Sequence, residues 1–340
     1  MLRSLFCLLV LAALAAGCGG GGGGGGSNSP TLPVLGASKI FVGDSANGAI
    51  GSSANSNPSP GTLVVDRIIT GANTKLDTSL FDFALDTAND QLYVTDLRSI
   101  LVFNGASTAT GNVAPARTVS TIPGGLGGYN GGLYLDTAGN RLYAGTNVNL
   151  GGPQTIQVFD SASTASAATP TRNITITTNF IFDIAVDTTR DILYVYDNNA
   201  SNFTQIAVFD SASTLNGTVA PSRTISLVDS GGGGPIGLFI DAANDRLYVP
   251  RNVGTISVFD IVHSATDAVP ASVVPSRTIN LPVPTYSAVF VELSSNRLYA
   301  VDANGVNIIA NASTVTGTPL ATTRVIAPAG SSLQAIAVKP

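Results

Sequence analysis

The chain has 340 residues, of which 11% are charged, and its formal net charge is −5. Ordinary soluble domains carry about 25% charged residues, so the composition excludes a coiled coil and a charge-rich disordered tail. Gly (37 residues) and Pro (18 residues) are too frequent for a long helical bundle, and no run of Lys or Arg exists that would bind nucleic acid.

The first predicted element is a signal peptide, residues 1–17. Arg3 precedes an apolar stretch, Ser4 to Ala16, which is too short to span a bilayer. Residues 14–18 read Leu-Ala-Ala-Gly-Cys and resemble the lipobox of bacterial lipoproteins. The resemblance implies that Cys18 becomes the first residue of the mature chain and carries lipid, palmitate included. An ordinary secretory signal, in which Cys18 has no special role, is the alternative.

Residues 18–37 are predicted to form a flexible tether, because eight consecutive glycines, Gly19 to Gly26, cannot bury a core. Residue 19 is Gly and not Asp, so the resemblance to Gram-negative lipoproteins implies the outer membrane, with its side left open. No later apolar run is long enough for a transmembrane helix. We therefore expect a folded body that a lipid holds at the bacterial cell envelope.

The body, residues 38–340, contains six copies of one repeating unit. A Leu-Tyr-Val or Leu-Tyr-Ala segment marks five copies, and neighbouring tyrosines are 50 to 54 residues apart: Tyr93, Tyr143, Tyr194, Tyr248 and Tyr299. Ile40-Phe41-Val42 occupies the same position 52 residues before Tyr93. A repeat of this length typically forms one supersecondary unit that stacks on its neighbours.

Each copy predicts four strands: one ending in an acidic residue, one containing Tyr, one reading Ile-x-Val-Phe-Asp in three copies, and one beginning at a recurrent Arg. Four strands per unit of this length are typical of a β-propeller blade. Ile336 to Pro340 match a first strand, whereas Lys39 to Val42 match a second strand. We therefore predict an all-β, six-bladed propeller with four antiparallel strands per blade, closed by pairing of the N- and C-terminal strands.

The motifs resemble NHL and YVTN-type repeat propellers over nearly all of the chain after residue 38. The resemblance implies the fold and says little about function, because such propellers include binding scaffolds, surface proteins and some enzymes. Two copies depart from the pattern. Gly51 stands where Phe is found in other copies, and Asn307 to Asn311 lack both the Phe and the Asp.

Most acidic residues recur at equivalent positions, which favours turn capping and bonding between blades. Asp82 and Asp183 are different, since other copies carry Gly or Ala there. In an NHL-like blade this position lies near the mouth of the central channel, where two carboxylates could hold Ca²⁺. The alternative is solvated loop residues near the axis. Further candidates for the channel mouth are Tyr129, Asn130, Arg251 and Tyr286.

Three functions remain open, of which a purely structural envelope protein is the third. The first is a monomeric binding or scaffold module that presents a rim to a protein or glycan partner. The second is a Ca²⁺-dependent, gluconolactonase-like hydrolase whose cation is held by Asp82 and Asp183. His263 is the only histidine, and no Ser-His-Asp arrangement can be assembled around it, so no catalytic residue is assigned. We expect no cofactor other than Ca²⁺ and no nucleic-acid partner.

Overall fold

The computed structural model describes residues 38–53, 62–122, 128–147, 153–178, 180–199, 202–226, 236–251, 253–260, 263, 274–281, 286–302, 305–319, 323–326 and 330–340. The predicted signal peptide and tether, residues 1–37, lie outside the described residues. Within the described part of the chain, no helix is both long enough and apolar enough to cross a membrane.

The described residues form six sheets, each built on four antiparallel strands, which are the blades of a closed propeller. This confirms the predicted fold. Blade 1 contains β1 (Lys39–Asp44), β2 (Ala49–Ser52) and β4 (Arg67–Ile69), with the short β3 (Thr62–Val64) between β2 and β4 in the chain. Blade 2 contains β5 (Leu80–Asp86), β6 (Gln91–Asp96), β7 (Ser99–Asn104) and β8 (Arg117–Thr121). Blade 3 contains β9 (Leu133–Asp136), β10 (Arg141–Thr146), β11 (Gln154–Asp160) and β12 (Arg172–Ile176).

The second half of the ring repeats this order. Blade 4 contains β13 (Ile181–Asp187), β14 (Ile192–Asn199), β15 (Asn202–Asp210) and β17 (Arg223–Ser226), with the short β16 (Gly217–Thr218) before β17. Blade 5 contains β18 (Phe239–Asp241), β19 (Arg246–Arg251), β20 (Thr255–Asp260) and β21 (Arg277–Asn280). Blade 6 contains β22 (Tyr286–Glu292), β23 (Arg297–Asp302), β24 (Gly305–Ala310) and β25 (Thr323–Ile326), and β26 (Leu333–Lys339) follows. Two 3₁₀ turns are η1 (Ala72–Thr74) and η2 (Ala242–Asn244).

The C-terminal strand closes the ring by serving as the innermost strand of blade 1. Strand β26 pairs antiparallel with β1, so that Ile336 lies opposite Val42 and Val338 opposite Ile40. Ile336 and Val338 also belong to a buried cluster that includes Tyr299 of blade 6. The seam is therefore built from a backbone ladder within blade 1 and from apolar packing between blades 6 and 1.

In blades 1, 2, 3, 5 and 6 the outer strand is covered by a segment from the following blade. Strand β16 pairs parallel with β12, and β3 pairs parallel with β25. A single parallel bridge between Ile69 and Gly111 does the same for blade 1. In blade 2 the amide of Ala167 donates to the carbonyl of Thr118 at 2.8 Å. These contacts satisfy backbone groups that an exposed edge strand would otherwise offer to another chain.

The recurrent polar residues hold turns and neighbouring blades together. Asp86 accepts hydrogen bonds from the amides of Ala88 and Asn89, at 3.1 and 3.0 Å. The Tyr93 hydroxyl and the Arg117 guanidinium both donate to the carbonyl of Ala162 in the next blade, at 3.2 and 2.7 Å. Equivalent Tyr hydroxyl bonds run from blade 3 to blade 4 and from blade 5 to blade 6. The repeated charges thus have the structural roles expected of them.

Candidate functional site in the central channel

The innermost strands of the six blades surround a channel with a volume of about 780 Å³. Its wall is mainly apolar and aromatic, with Leu85, Leu135, Phe182, Phe239 and Phe290 among the lining residues. The Phe239 and Phe290 rings meet edge to face, with their centroids 5.4 Å apart. A concave, largely apolar site of this size, with a few polar groups in its wall, is typical of small-ligand sites in proteins.

Asp82 and Asp183 both line this channel. They occupy the same position in β5 and β13, where the pairing register shifts by one residue, between Leu80 and Asp82 and between Ile181 and Asp183. Such irregularities re-aim the side chains that follow them. Both aspartates are partly exposed, whereas the residues before the shifts, Leu80 and Ile181, are fully buried.

Each of these carboxylates joins its own blade to the next one. Asp82 accepts from its neighbour Phe83 through Oδ1 and from the amide of Leu133 in blade 3 through Oδ2, both at 2.7 Å. Asp183 repeats this arrangement, accepting from the amide of Ile184 at 2.7 Å and from the amide of Leu238 in blade 5 at 2.6 Å. Each carboxylate oxygen therefore already accepts one backbone hydrogen bond.

Two glycines of the neighbouring blades make room for the Asp183 carboxylate. Gly132 has a φ of +89°, and a Cβ built on it would lie 2.0 Å from Asp183 Oδ1. A Cβ on Gly237 would lie 3.2 Å from Asp183 Oδ2. Because Asp82 bonds to Leu133, the residue after Gly132, the two carboxylates lie on either side of one dipeptide of blade 3. Both glycines stand at the repeat position that Asp82 and Asp183 occupy in their own blades.

The environment favours the protonated form of both carboxyl groups. Burial raises the pKa of Asp82 to about 7. Burial, together with the nearby charge of Asp82, raises the pKa of Asp183 well above its ordinary value. The backbone hydrogen bonds oppose these shifts without cancelling them. Because the pKa of Asp82 is about 7 and that of Asp183 is raised, the channel wall can both accept and donate hydrogen bonds near neutral pH.

The other sequence candidates are distributed between the channel and the blades. Asn130 lines the channel, and its Oδ1 accepts a hydrogen bond from Asn147 at 2.9 Å. Tyr129 is 1% exposed, and its hydroxyl donates to Gln157 Oε1 at 2.7 Å inside the core. Arg251 ends β19 and is 2% exposed, and it is not among the residues that line the channel. Tyr286 begins β22 opposite Asp302, and its side chain lies outside what the structure describes.

His263 lies on the periphery of blade 5, where its Nδ1 is hydrogen-bonded to the Asp245 carboxylate and its amide donates to the same residue at 2.9 Å. In blade 2 the equivalent acidic residue, Asp90, bonds to Ser107. The histidine therefore takes the place of a serine in a structural turn.

Among the described residues, no group of three or more His, Cys, Asp or Glu side chains is placed to hold a metal ion. Asp82 and Asp183 could supply two carboxylates to a cation in the channel. Ca²⁺ usually takes about six to eight oxygen ligands, so further oxygens from backbone, amide or water would have to complete such a site.

The fold is similar to that of known propellers. A chain in the crystal structure of a nidogen/laminin complex superposes with a TM-score of 0.58 at 18% identity, covering 89% of this chain and 98% of that one. The WD40 β-propeller domain of Doa1 gives a TM-score of 0.52 at 15% identity, covering 86% and 81%. No protein-family model and no curated protein sequence matches the chain. At these identities the similarity establishes a β-propeller.

Proposed function

We propose that this chain is a binding module of the bacterial cell envelope, anchored by lipid at Cys18, whose central channel receives part of a protein or glycan partner. The observation that carries the proposal is the channel itself, with its apolar wall and two partly exposed carboxyl groups. A propeller of similar fold occurs in a nidogen/laminin complex, which supports a protein partner.

The channel favours a ligand segment with two kinds of surface. Its apolar and aromatic wall stabilises a segment that removes apolar surface from water. Asp82 and Asp183 then select for hydroxyl or amide groups, because a buried carboxyl group that loses water and gains no partner costs about 1–3 kcal/mol. Sugar rings and short peptide segments both combine an apolar face with such groups.

The binding claim is tested with the full chain, purified in detergent, against defined panels of glycans and purified envelope proteins. The double variant Asp82→Asn/Asp183→Asn keeps the size of both side chains and removes both acidic groups. The control Asp210→Asn alters an acidic side chain that is 57% exposed and far from the innermost strands. We expect the double variant to weaken binding by roughly tenfold or more and the control to bind as the native chain does. Equal binding by all three proteins would place the site outside the channel.

The anchor is tested separately by replacing cysteines. Cys18→Ser should release the protein from the membrane fraction, because the lipid attachment site is lost. Cys7→Ser, in the apolar part of the signal peptide, is the matched control and should leave the protein in the membrane fraction. Membrane retention of Cys18→Ser would remove the anchor from the proposal.

The alternative function, a Ca²⁺-dependent lactonase, is favoured by one observation: both aspartates line the same channel. A site filled at a hundredfold excess over its Kd stabilises the folded state by about 2.7 kcal/mol. Thermal melting in millimolar Ca²⁺, with Mg²⁺ as the control, measures this effect. An unchanged melting temperature, together with no hydrolysis of a lactone panel, would eliminate the alternative and leave the binding module.

A further inference from the structure

A second cavity, of about 690 Å³, lies between blades 3 and 4, away from the channel. We call it the 3/4 crevice. Its wall combines one carboxylate, one amide, several hydroxyls and an apolar part: Asp197, Gln205, Thr177, Thr218, Thr224 and Phe209. Asp197 is the one charged side chain among the described residues that line it.

Asp197 occupies a repeat position at which other blades use the acidic residue to cap a turn. Asp96 accepts hydrogen bonds from the amides of Arg98 and Ser99, at 2.8 and 2.6 Å, because β6 ends there and the chain turns back. In blade 4 the hairpin is longer. Strand β14 continues to Asn199, and Asp197 lies within the ladder opposite Gln205.

The consequence is a buried carboxylate with spare acceptor capacity. Asp197 is 5% exposed, and its Oδ1 has no hydrogen-bond partner among the residues that the structure describes. The Thr178 hydroxyl bonds to the carboxyl group, and burial nevertheless raises the pKa of Asp197 to about 6. A buried acceptor without a partner raises the free energy of the folded chain. A hydrogen bond from a ligand to Asp197 therefore contributes more binding free energy than one to an acidic residue that already caps a turn.

We propose that the 3/4 crevice is a binding site for a primary ammonium group on an apolar stem, the chemistry of a lysine side chain on a protein partner. Asp197 supplies the opposite charge, and Gln205 and the threonine hydroxyls supply acceptors for the other two ammonium protons. The apolar part of the wall, which includes Phe209, packs against the stem. A divalent metal ion fits less well, because a single carboxylate contributes little to a shell of about six to eight oxygens.

The test uses two probes, Nα-acetyl-lysine methylamide and Nα-acetyl-norleucine methylamide. They differ only in that the lysine compound carries a free side-chain ammonium group. The full chain is labelled with ¹³C at its aspartate carboxyl groups, and each probe is titrated while the Asp197 carboxyl resonance is followed. We expect saturable binding of the lysine compound, with a Kd on the order of millimolar, and no saturable shift with the norleucine compound.

Three variants locate the site. Asp197→Asn should weaken binding of the lysine compound, followed by calorimetry, by roughly tenfold or more. Asp96→Asn, at the equivalent position of blade 2, should leave binding unchanged. Ala220→Trp obstructs the crevice from an exposed position without altering Asp197, and should abolish binding even if Asp197→Asn does not fold.

The proposal for the crevice depends on the proposed binding function only in taking the natural partner to be a protein. Asp82→Asn/Asp183→Asn should leave binding of the lysine compound intact, so failure of the channel and failure of the crevice give different results. Equal binding of both probes, or full binding by Asp197→Asn and Ala220→Trp, would overturn the proposal.

Discussion

The seam between the two chain ends is where the closed ring can be tested most directly. Ile336 in β26 is 5% exposed and packs in a cluster with Ile40, Tyr299 and Val301. Replacing Ile336 with Ala removes three carbons from the packing between two blades. Such a substitution typically lowers the unfolding free energy by about 2–5 kcal/mol. Against a total stability of roughly 5–15 kcal/mol, this is a large fraction.

Urea unfolding of the full chain measures the cost, with two reference variants. Ile100→Ala removes the same atoms from a fully buried position in blade 2, and should cost a similar amount. Val274→Ala alters a side chain that is 70% exposed, and should change stability by less than about 0.5 kcal/mol. The contrary result is that Ile336→Ala lowers the unfolding free energy as little as Val274→Ala does, while Ile100→Ala lowers it by several kcal/mol. That result would show that the terminal strand does not contribute to the core, and it would refute closure of the ring by β26.

Three further predictions concern the polar framework. Gly132→Ala should lower the unfolding free energy by clearly more than Gly217→Ala does. Both glycines have a positive φ, which costs an alanine about 1–2 kcal/mol, but only a Cβ on Gly132 would collide with Asp183. Equal urea midpoints for the two variants would contradict this. The Asp82 carboxyl has a folded-state pKa of about 7, above its value in the unfolded chain. Between these two pKa values the folded chain binds the proton and the unfolded chain does not, so the unfolding free energy should fall as pH rises from about 4 to about 7. Asp82→Asn should flatten that dependence, measured as urea midpoints across this range, and an unchanged slope would rule out Asp82 as its source. Arg117→Met should lower the unfolding free energy by about 1–3 kcal/mol, since the partly buried carbonyl of Ala165 loses its Arg117 donor and that of Ala162 keeps only the Tyr93 hydroxyl. Thermal melts indistinguishable from the native chain would show that the inter-blade bonds of Arg117 are dispensable.

The fold was predictable because the determining signals recur. Tyr93 and its counterparts mark the second strand of five blades and Phe41 marks that of blade 1. The mismatch between the first and last strands implied that β26 would complete blade 1. Asp82 and Asp183 could be singled out because both residues break the repeat at the same strand position, and the resemblance to an NHL-like blade placed that position near the channel. The space around Asp183 depends on Gly132 and Gly237 in the neighbouring blades, and this dependence becomes evident only when the inner strands are placed side by side.

Other features could not be inferred from the repeat. Asp197 stands at the same repeat position as Asp96, so its sequence context assigns it the same capping role. The different role arises because β14 and β15 form a longer hairpin in blade 4, which places the residues after Asp197 in a ladder. Arg251 also departs from the repeat, since it stands where four other copies carry Asp44, Asp96, Asp197 and Asp302, yet its side chain is buried. Departure from a repeat thus identifies an unusual position without fixing the direction of its side chain.

The inner ring is chemically asymmetric despite its sixfold architecture. At one repeat position, successive blades carry Asp82, Gly132, Asp183 and Gly237 in blades 2 to 5, whereas blades 6 and 1 carry Ala288 and Ala335. Each carboxylate is bonded to the following glycine-containing blade, so acidic groups occupy one arc of the wall and none occurs at this level on the other arc. A symmetric ring would bind a ligand in six equivalent orientations. In this channel the two carboxyl groups at this level lie on one side alone and alanines lie on the other, so a bound segment whose polar group bonds to a carboxyl group should favour one orientation over the other five.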